Sequence, residues 1–258
     1  MPAYDFSGRT VVVTGSFRGI GHGVAEGFAK AGADLVLIDM EAGVKEVAAA
    51  MAAAHGVSVT GHVADITDPA ALDAVFATVD HIDVLVNNAG LELVTPVESP
   101  DPAVEDTFRR IVDINVMGTF YVTRRALPKM GRGGRIVITS SMWGKTAVAE
   151  MSAYCATKHA NIGFMRSLAM ELGPRGIAVN AVCPGWVKTV ASMRSLKAMA
   201  ESSGRSEDAL LAEIMAAQAF DGLMEPPDMT DMYLFLASDA ARNITGQAVT
   251  VDRGELLA

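Results

Sequence analysis

Short apolar runs rich in β-branched residues recur along the chain at residues 10–14 (TVVVT), 35–38 (LVLI), 57–63, 82–86, 135–139 (RIVIT), 177–182 (IAVNAV) and 247–251 (QAVTV). Nearly unbroken runs of this kind suit strands buried on both faces, as in a parallel sheet covered by helices. Between them the apolar positions space out to a helical period, over about residues 21–30, 43–54, 69–78, 102–129, 153–172 and 227–238. Strand and helix alternating this often predict a doubly wound α/β fold, with a seven-stranded, mainly parallel sheet carrying helices on both faces. No internal repeat or low-complexity linker divides it, so a single domain over residues 1–258 is expected. Residues 188–224 break the rhythm, being helix-prone, rich in Ala and Met, and without a strand. They follow the C-terminal end of a strand, where open sheets bind ligands, and are expected to form a small helical lid over a substrate.

Composition narrows the partners. The chain has 258 residues, enough for a substantial core, and a formal net charge of −9. An acidic surface repels phosphodiester backbones, so nucleic acid is not an expected partner. Cys155 and Cys183 form no disulfide framework or metal-ligand pattern, which fits a reducing compartment. The five histidines are scattered, with no ligand spacing, so no metal is expected. The first residues lack a basic flank followed by an apolar core, and no run of about 18 apolar residues occurs. A cytoplasmic protein without a membrane partner is the expectation.

Two constellations carry chemistry. The first strand runs into Thr14-Gly15-Ser16-Phe17-Arg18-Gly19-Ile20-Gly21, with a helix following. Glycines there permit a tight turn and close backbone approach to a pyrophosphate, which would face a helix N-terminus. Asp39 ends the second strand, where a carboxylate can accept hydrogen bonds from an adenosine ribose. The second constellation is Tyr154-Cys155-Ala156-Thr157-Lys158, opening a helix. Positions i and i+4 share a helical face, so the ammonium can favour a phenolate at Tyr154 and fit it to accept an alcohol proton. An isolated YxxxK reads more often as a surface pair.

Here the pair is not isolated. Thr14–Gly21, Asn87-Asn88-Ala89-Gly90 after the fourth strand, Asn115 in Asn-Val-Met-Gly, Ser141 in Ser-Ser-x-x-Gly, and Pro184-Gly185-Trp186-Val187-Lys188-Thr189 follow one another in order. Together with Asp65 in Ala-Asp-Ile-Thr-Asp, they resemble the short-chain dehydrogenase/reductase family, and the resemblance spans essentially the whole chain. It implies a Rossmann fold and an enzyme using NAD to interconvert a secondary alcohol and a ketone. Asn115, Ser141, Tyr154 and Lys158 would be catalytic: Tyr154 exchanging the proton, Ser141 binding the same oxygen, Lys158 lowering the tyrosine pKa and holding the ribose, and Asn115 holding a water that links Lys158 to solvent. Gly15, Arg18, Gly19, Ile20, Gly21, Asp39, Asp65, Asn88, Ala89 and Gly90 would bind the adenosine and pyrophosphate, and Pro184, Gly185, Val187 and Thr189 the nicotinamide. The resemblance also implies a homotetramer contacting through helices 102–129 and 153–172. Arg253, where the family usually has a second glycine, puts the usual subunit contact there in question.

Arg18 and Asp39 disagree about the dinucleotide. A basic residue before Gly19 suits the phosphate of NADP, whereas Asp39 suits the free ribose of NAD and repels a phosphate. Glu41 adds like charge and Met40 adds no cation, so NAD is expected. For the substrate, Trp143 and Trp186 offer apolar walls while Glu92 and Glu150 can accept hydrogen bonds from hydroxyls. A polyol, sugar or cyclic diol fits that mixture better than a carboxylate. Rival readings are a non-catalytic NAD-binding sensor or scaffold and an NADP-dependent ketone reductase.

Overall fold

The computed structural model describes residues 4–257. Its first half alternates strictly: β1 (Thr10–Thr14), α1 (Gly19–Lys30), β2 (Asp34–Asp39), α2 (Val44–His55), β3 (Val59–Val63), α3 (Pro69–Ala77) and β4 (Val84–Asn87). Then come α4 (Ala103–Val112), a π-helical segment (Asp113–Gly118), α5 (Thr119–Ala126), β5 (Arg135–Thr139), α6 (Ser152–Leu172), β6 (Ala178–Pro184), α7 (Val190–Ser203), α8 (Glu207–Ala216), α9 (Thr230–Ala237) and β7 (Ala248–Val251). Helix boundaries follow local chemistry. Asp68 caps α3 by accepting the N–H groups of Ala70 and Ala71, with Pro69 at the first helical position. Gly56, with φ +69°, ends α2 in the left-handed conformation that glycine adopts at little cost.

The strands pair in the order β3-β2-β1-β4-β5-β6-β7, and every pairing is parallel. Period-two alternation divides their side chains between two cores. Val11 and Val13 face one side with Leu35, Leu37, Val84 and Val86, against Val24 and Phe28 of α1, Met51 of α2 and Tyr233 of α9. Val12, Val36, Ile38 and Leu85 face the other, against Leu72 and Phe76 of α3, Val122 of α5 and Met165 of α6. Strand order reverses between β1 and β4, which makes the C-terminal ends of these two strands the crevice where ligands of open sheets bind. A third, smaller cluster joins Trp143, Met151 and Trp186 to Leu196 of α7 and Leu210 of α8. The helical excursion of α7 and α8 therefore packs onto the loops beyond the strand ends. Its two ends are joined by an isolated parallel bridge between Val187 and Met224.

The stretch expected to be one helix over 102–129 is helical throughout but changes register. Its middle, Asp113–Gly118, winds as a π-helix, and its last three residues tighten to a 3₁₀ turn. Among the described residues, no helix is long and apolar enough to cross a membrane.

Candidate active site

A cleft of about 350 Å³ opens at the crevice between β1 and β4. Its floor at one end is the turn from β1 into α1. Gly15 has φ +65°, and a Cβ there would fall 2.7 Å from the Ala89 Cα. A Cβ on Gly21 would run into the Gly15 carbonyl and the Asn88 amide. Behind the turn, Thr14 Oγ1 accepts the N–H groups of Asn88 and Ala89 at 3.0 and 3.1 Å. Asn88 Nδ2 donates to the Thr14 and Gly15 carbonyls. The two strand ends are thus stapled together. No side chain caps α1, and its first turn holds no acid, so its leading N–H groups are left for an anion at the cleft.

Asp39 closes this end. Its Oδ2 accepts the Phe17 N–H at 2.9 Å and its Oδ1 the Glu41 N–H at 3.0 Å, so each oxygen keeps lone pairs for a further donor. The Arg18 guanidinium lies 3.6 Å from the Glu41 carboxylate; it pairs with Glu41 rather than with Asp39. A glycine cradle, an uncapped helix N-terminus and a strand-end carboxylate together fit a dinucleotide.

At the other end, α6 carries Tyr154 and Lys158 one turn apart. The helix starts where it does because Thr95, from the loop after β4, accepts the Ala153 N–H through its hydroxyl and the Ser152 hydroxyl through its carbonyl. Lys158 Nζ donates to the Thr139 carbonyl at 2.9 Å and lies 5.4 Å from the Tyr154 ring centroid. Ser141 Oγ accepts the Trp143 N–H at 3.1 Å, which leaves its own proton to give, and Tyr154 shares the cleft wall with it. Trp143 stands edge-on to both Tyr154 and Trp186, at 6.1 and 5.8 Å between ring centroids.

Burial dominates the electrostatics here. It pushes the Lys158 ammonium down to about 8, against the opposing pull of Glu92. The Tyr154 phenol moves well above its ordinary value, first through burial and then through the Glu92 charge, with the Ser141 hydrogen bond opposing. Burial and the Glu92 charge therefore set the upward direction of the Tyr154 shift.

The cleft walls include Gly15, Arg18, Gly19, Ile20, Asp39, Asp65, Asn88, Ala89, Gly90, Glu92, Ser141, Trp143, Tyr154, Lys158, Pro184, Gly185, Trp186, Val187 and Thr189. Gly21 lies just behind, against Gly15. Asn115 is fully buried rather than on the wall. Its Oδ1 accepts the Leu91 N–H, and its Nδ2 donates to the Leu91 carbonyl and to Thr157 Oγ1. This side chain ties the loop after β4 to the Tyr154–Lys158 turn of α6, and its Oδ1 keeps a second lone pair for a further donor.

Glu150, expected at the substrate, lies elsewhere. It is exposed and away from the cleft walls, and its carboxylate accepts the Ser202 hydroxyl of α7 through both oxygens at 2.9 Å. Its φ of +63° turns the side chain outward onto the helical excursion. Lys145 likewise reaches Thr250 of β7. Thr139, Thr95, Arg194 and Ser195 went unnoticed in the sequence, because their partners lie far away along the chain. Thr14 immediately before Gly15 was the one legible signal.

A family model described as enoyl-(acyl carrier protein) reductase matches residues 15–255. D-beta-hydroxybutyrate dehydrogenase of Cupriavidus necator is 35% identical over 258 residues, covering 96% of this chain and 98% of that protein. Among solved structures, L-sorbose reductase from Gluconobacter frateurii, complexed with NADPH and L-sorbose, matches with a TM-score of 0.88 at 29% identity over 100% of both chains. A 3-oxoacyl-[acyl-carrier protein] reductase from Brucella melitensis with bound NAD matches with a TM-score of 0.84 at 32% identity, over 98% of this chain and 92% of that one. With the glycine turn, Asn88, Ser141, Tyr154 and Lys158 brought to one cleft, the chain belongs to the short-chain dehydrogenase/reductase family.

Proposed function

We propose that the protein is an NAD-dependent oxidoreductase that interconverts a secondary alcohol and a ketone. The observation that carries this reading is the meeting of Ser141, Tyr154 and Lys158 at one end of a cleft whose other end offers an uncapped helix N-terminus and Asp39. Relatives that carry NADPH or NAD support a dinucleotide; the choice of NAD rests on Asp39 and on the engagement of Arg18 by Glu41.

When bound, the dinucleotide supplies the hydride acceptor or donor, and a positive charge in its oxidised ring. Tyr154 takes the alcohol proton in one direction and returns it to the carbonyl oxygen in the other. Ser141, which accepts the Trp143 N–H, keeps its proton to give to the same oxygen and stabilise charge developing there. Lys158 is anchored by the Thr139 carbonyl, keeps two protons for ribose hydroxyls, and favours the phenolate through its charge. Asn115 acts one layer back as a positioning residue, tying Leu91 to Thr157 beneath Tyr154. Residues 188–224 close over the substrate as a lid, fastened by the Glu150–Ser202 contact and by Arg194 donating to the Glu92 carbonyl. The walls formed by Trp143 and Trp186 favour the carbon face of a polyol, sugar or cyclic diol.

Initial rates with NAD+ and NADP+ across secondary alcohols and polyols test the reading. Reduction of NAD+ by at least one such alcohol, with a higher kcat/KM than for NADP+, is the expected result. Absence of any dinucleotide-linked turnover would contradict it.

A further inference from the structure

Four acidic residues stand on the cleft wall. Asp39 and Glu41 lie at the end of β2 and Asp65 just past β3, at the ribose end. Glu92 alone follows β4 and shares the chemical end with Ser141, Tyr154 and Lys158. Arg194 does not neutralise it through a salt bridge: the guanidinium donates at 2.7 Å to the Glu92 main-chain carbonyl. The Ser195 hydroxyl of α7, itself 3% exposed, sits beside the carboxyl. Burial raises the Glu92 pKa, and Lys158 and Arg194 nearby oppose the rise. Its charge in turn bears on the Tyr154 phenol, and both residues line the same cleft.

A carboxylate has only lone pairs to offer, so a ligand atom facing it must bring a proton. A hydroxyl does so, whereas a carbonyl or a carboxylate does not. We propose that Glu92, supported by Ser195, binds a second hydroxyl near the reacting carbon, so that the substrate is an uncharged diol or hydroxyketone and free hydroxy acids are excluded. This rests on the oxidoreductase reading above and adds which alcohol enters. Trp143 and Trp186, edge to face at 5.8 Å, complete the pocket with apolar surface for the carbon skeleton of such a ligand. A substrate carboxylate placed there would meet an existing anion in a desolvated site, where like charges repel strongly.

The test can be read without turnover. The chain has two tryptophans, and both line this cleft, so their fluorescence reports ligand binding directly. Wild type, Glu92→Leu and Glu92→Gln are saturated with NADH and titrated with cyclic 1,2- and 1,3-diols, with cyclohexanol and with 3-hydroxybutyrate. NADH affinity in each variant reports that the protein is folded. Wild type should bind at least one diol about tenfold or more tighter than cyclohexanol, as expected for a hydrogen bond to a charged acceptor. In Glu92→Leu that ratio should fall to within about threefold of unity. In Glu92→Gln, which keeps shape and loses charge, 3-hydroxybutyrate should bind at least about fivefold tighter than to wild type. Equal binding of diols and cyclohexanol by wild type, a ratio unchanged in Glu92→Leu, or preference of wild type for 3-hydroxybutyrate would overturn the proposal. Absence of dinucleotide-linked turnover in wild type, with its diol preference present and lost in Glu92→Leu, would instead count against the oxidoreductase reading.

Discussion

Each Asp39 oxygen already accepts a backbone N–H, and the nearest cation, Arg18, is turned to Glu41. A ribose hydroxyl adds a third donor to this carboxylate, worth about 1.5–3 kcal/mol, whereas a phosphate within about 4 Å costs on the order of 1–4 kcal/mol per charge pair. Asp39→Ala should therefore weaken NAD and admit NADP, with Arg18 freed to meet the phosphate. Comparing kcat/KM for both dinucleotides in wild type and variant checks this; a variant still selective for NAD would refute it. Lys158 allows a second check. Its ammonium titrates near 8 in the folded chain against 10.5 ordinarily, so between those values the unfolded state holds more protons and stability rises with pH. The Tm of wild type relative to Lys158→Met should climb from pH 8 to about 10. Both residues were legible in the sequence, because their spacing alone puts them at a strand end and on one helical face. The direction of the Tyr154 shift was not, since it depends on burial and on Glu92, brought in from a different loop.

Among the elements, strands were the most legible, since the apolar runs of β1, β2, β4, β5 and β6 are buried on both sides of the sheet. The π-helical turn at Asp113–Gly118 was invisible. The apolar spacing runs on through it, and the only local hint was an asparagine within a helix, at Asn115. Equally unforeseen is the link from α9 to the glycine turn. Asn88 Nδ2 faces two carbonyls, so its Oδ1 must be the acceptor of the Thr139 hydroxyl. The Thr139 proton is thereby committed, and Tyr233 must donate to Thr139 Oγ1, at 2.7 Å. Tyr233, Thr139 and Asn88 form a one-way chain that ends on the Gly15 carbonyl, while the Thr139 main chain holds Lys158. Thr139→Val, which keeps volume but removes the hydroxyl, should raise the dinucleotide Kd by about three- to tenfold, in line with one lost net hydrogen bond. Thr139→Ser should restore it. A Kd unchanged in Thr139→Val would remove the network from the site.

At the scale of the whole molecule, several large apolar side chains remain on the outer helices. Phe108 of α4 and Phe120 of α5 are 39% and 38% exposed, and Met170 of α6 is 82% exposed. Phe120 packs edge-on with Phe164 of α6. We expect these exposed side chains to be covered by further copies of the chain in a homotetramer; light scattering that finds a monomer at micromolar concentration would contradict this. Arg253, suspected from sequence of disturbing a subunit contact, reaches the Asp221 carbonyl and the Asp228 carboxylate of its own chain. Its effect on assembly was illegible because its partners sit at the base of the helical excursion, far from the strand that precedes it. In the proposed function Tyr154 handles the proton while the rest of the cleft holds the dinucleotide. The most direct measurement pairs kcat with the dinucleotide Kd in Tyr154→Phe. Turnover falling below a few per cent of wild type with Kd unchanged within about twofold is the predicted result. Turnover retained in the absence of the phenol would contradict a proton-transfer role for Tyr154.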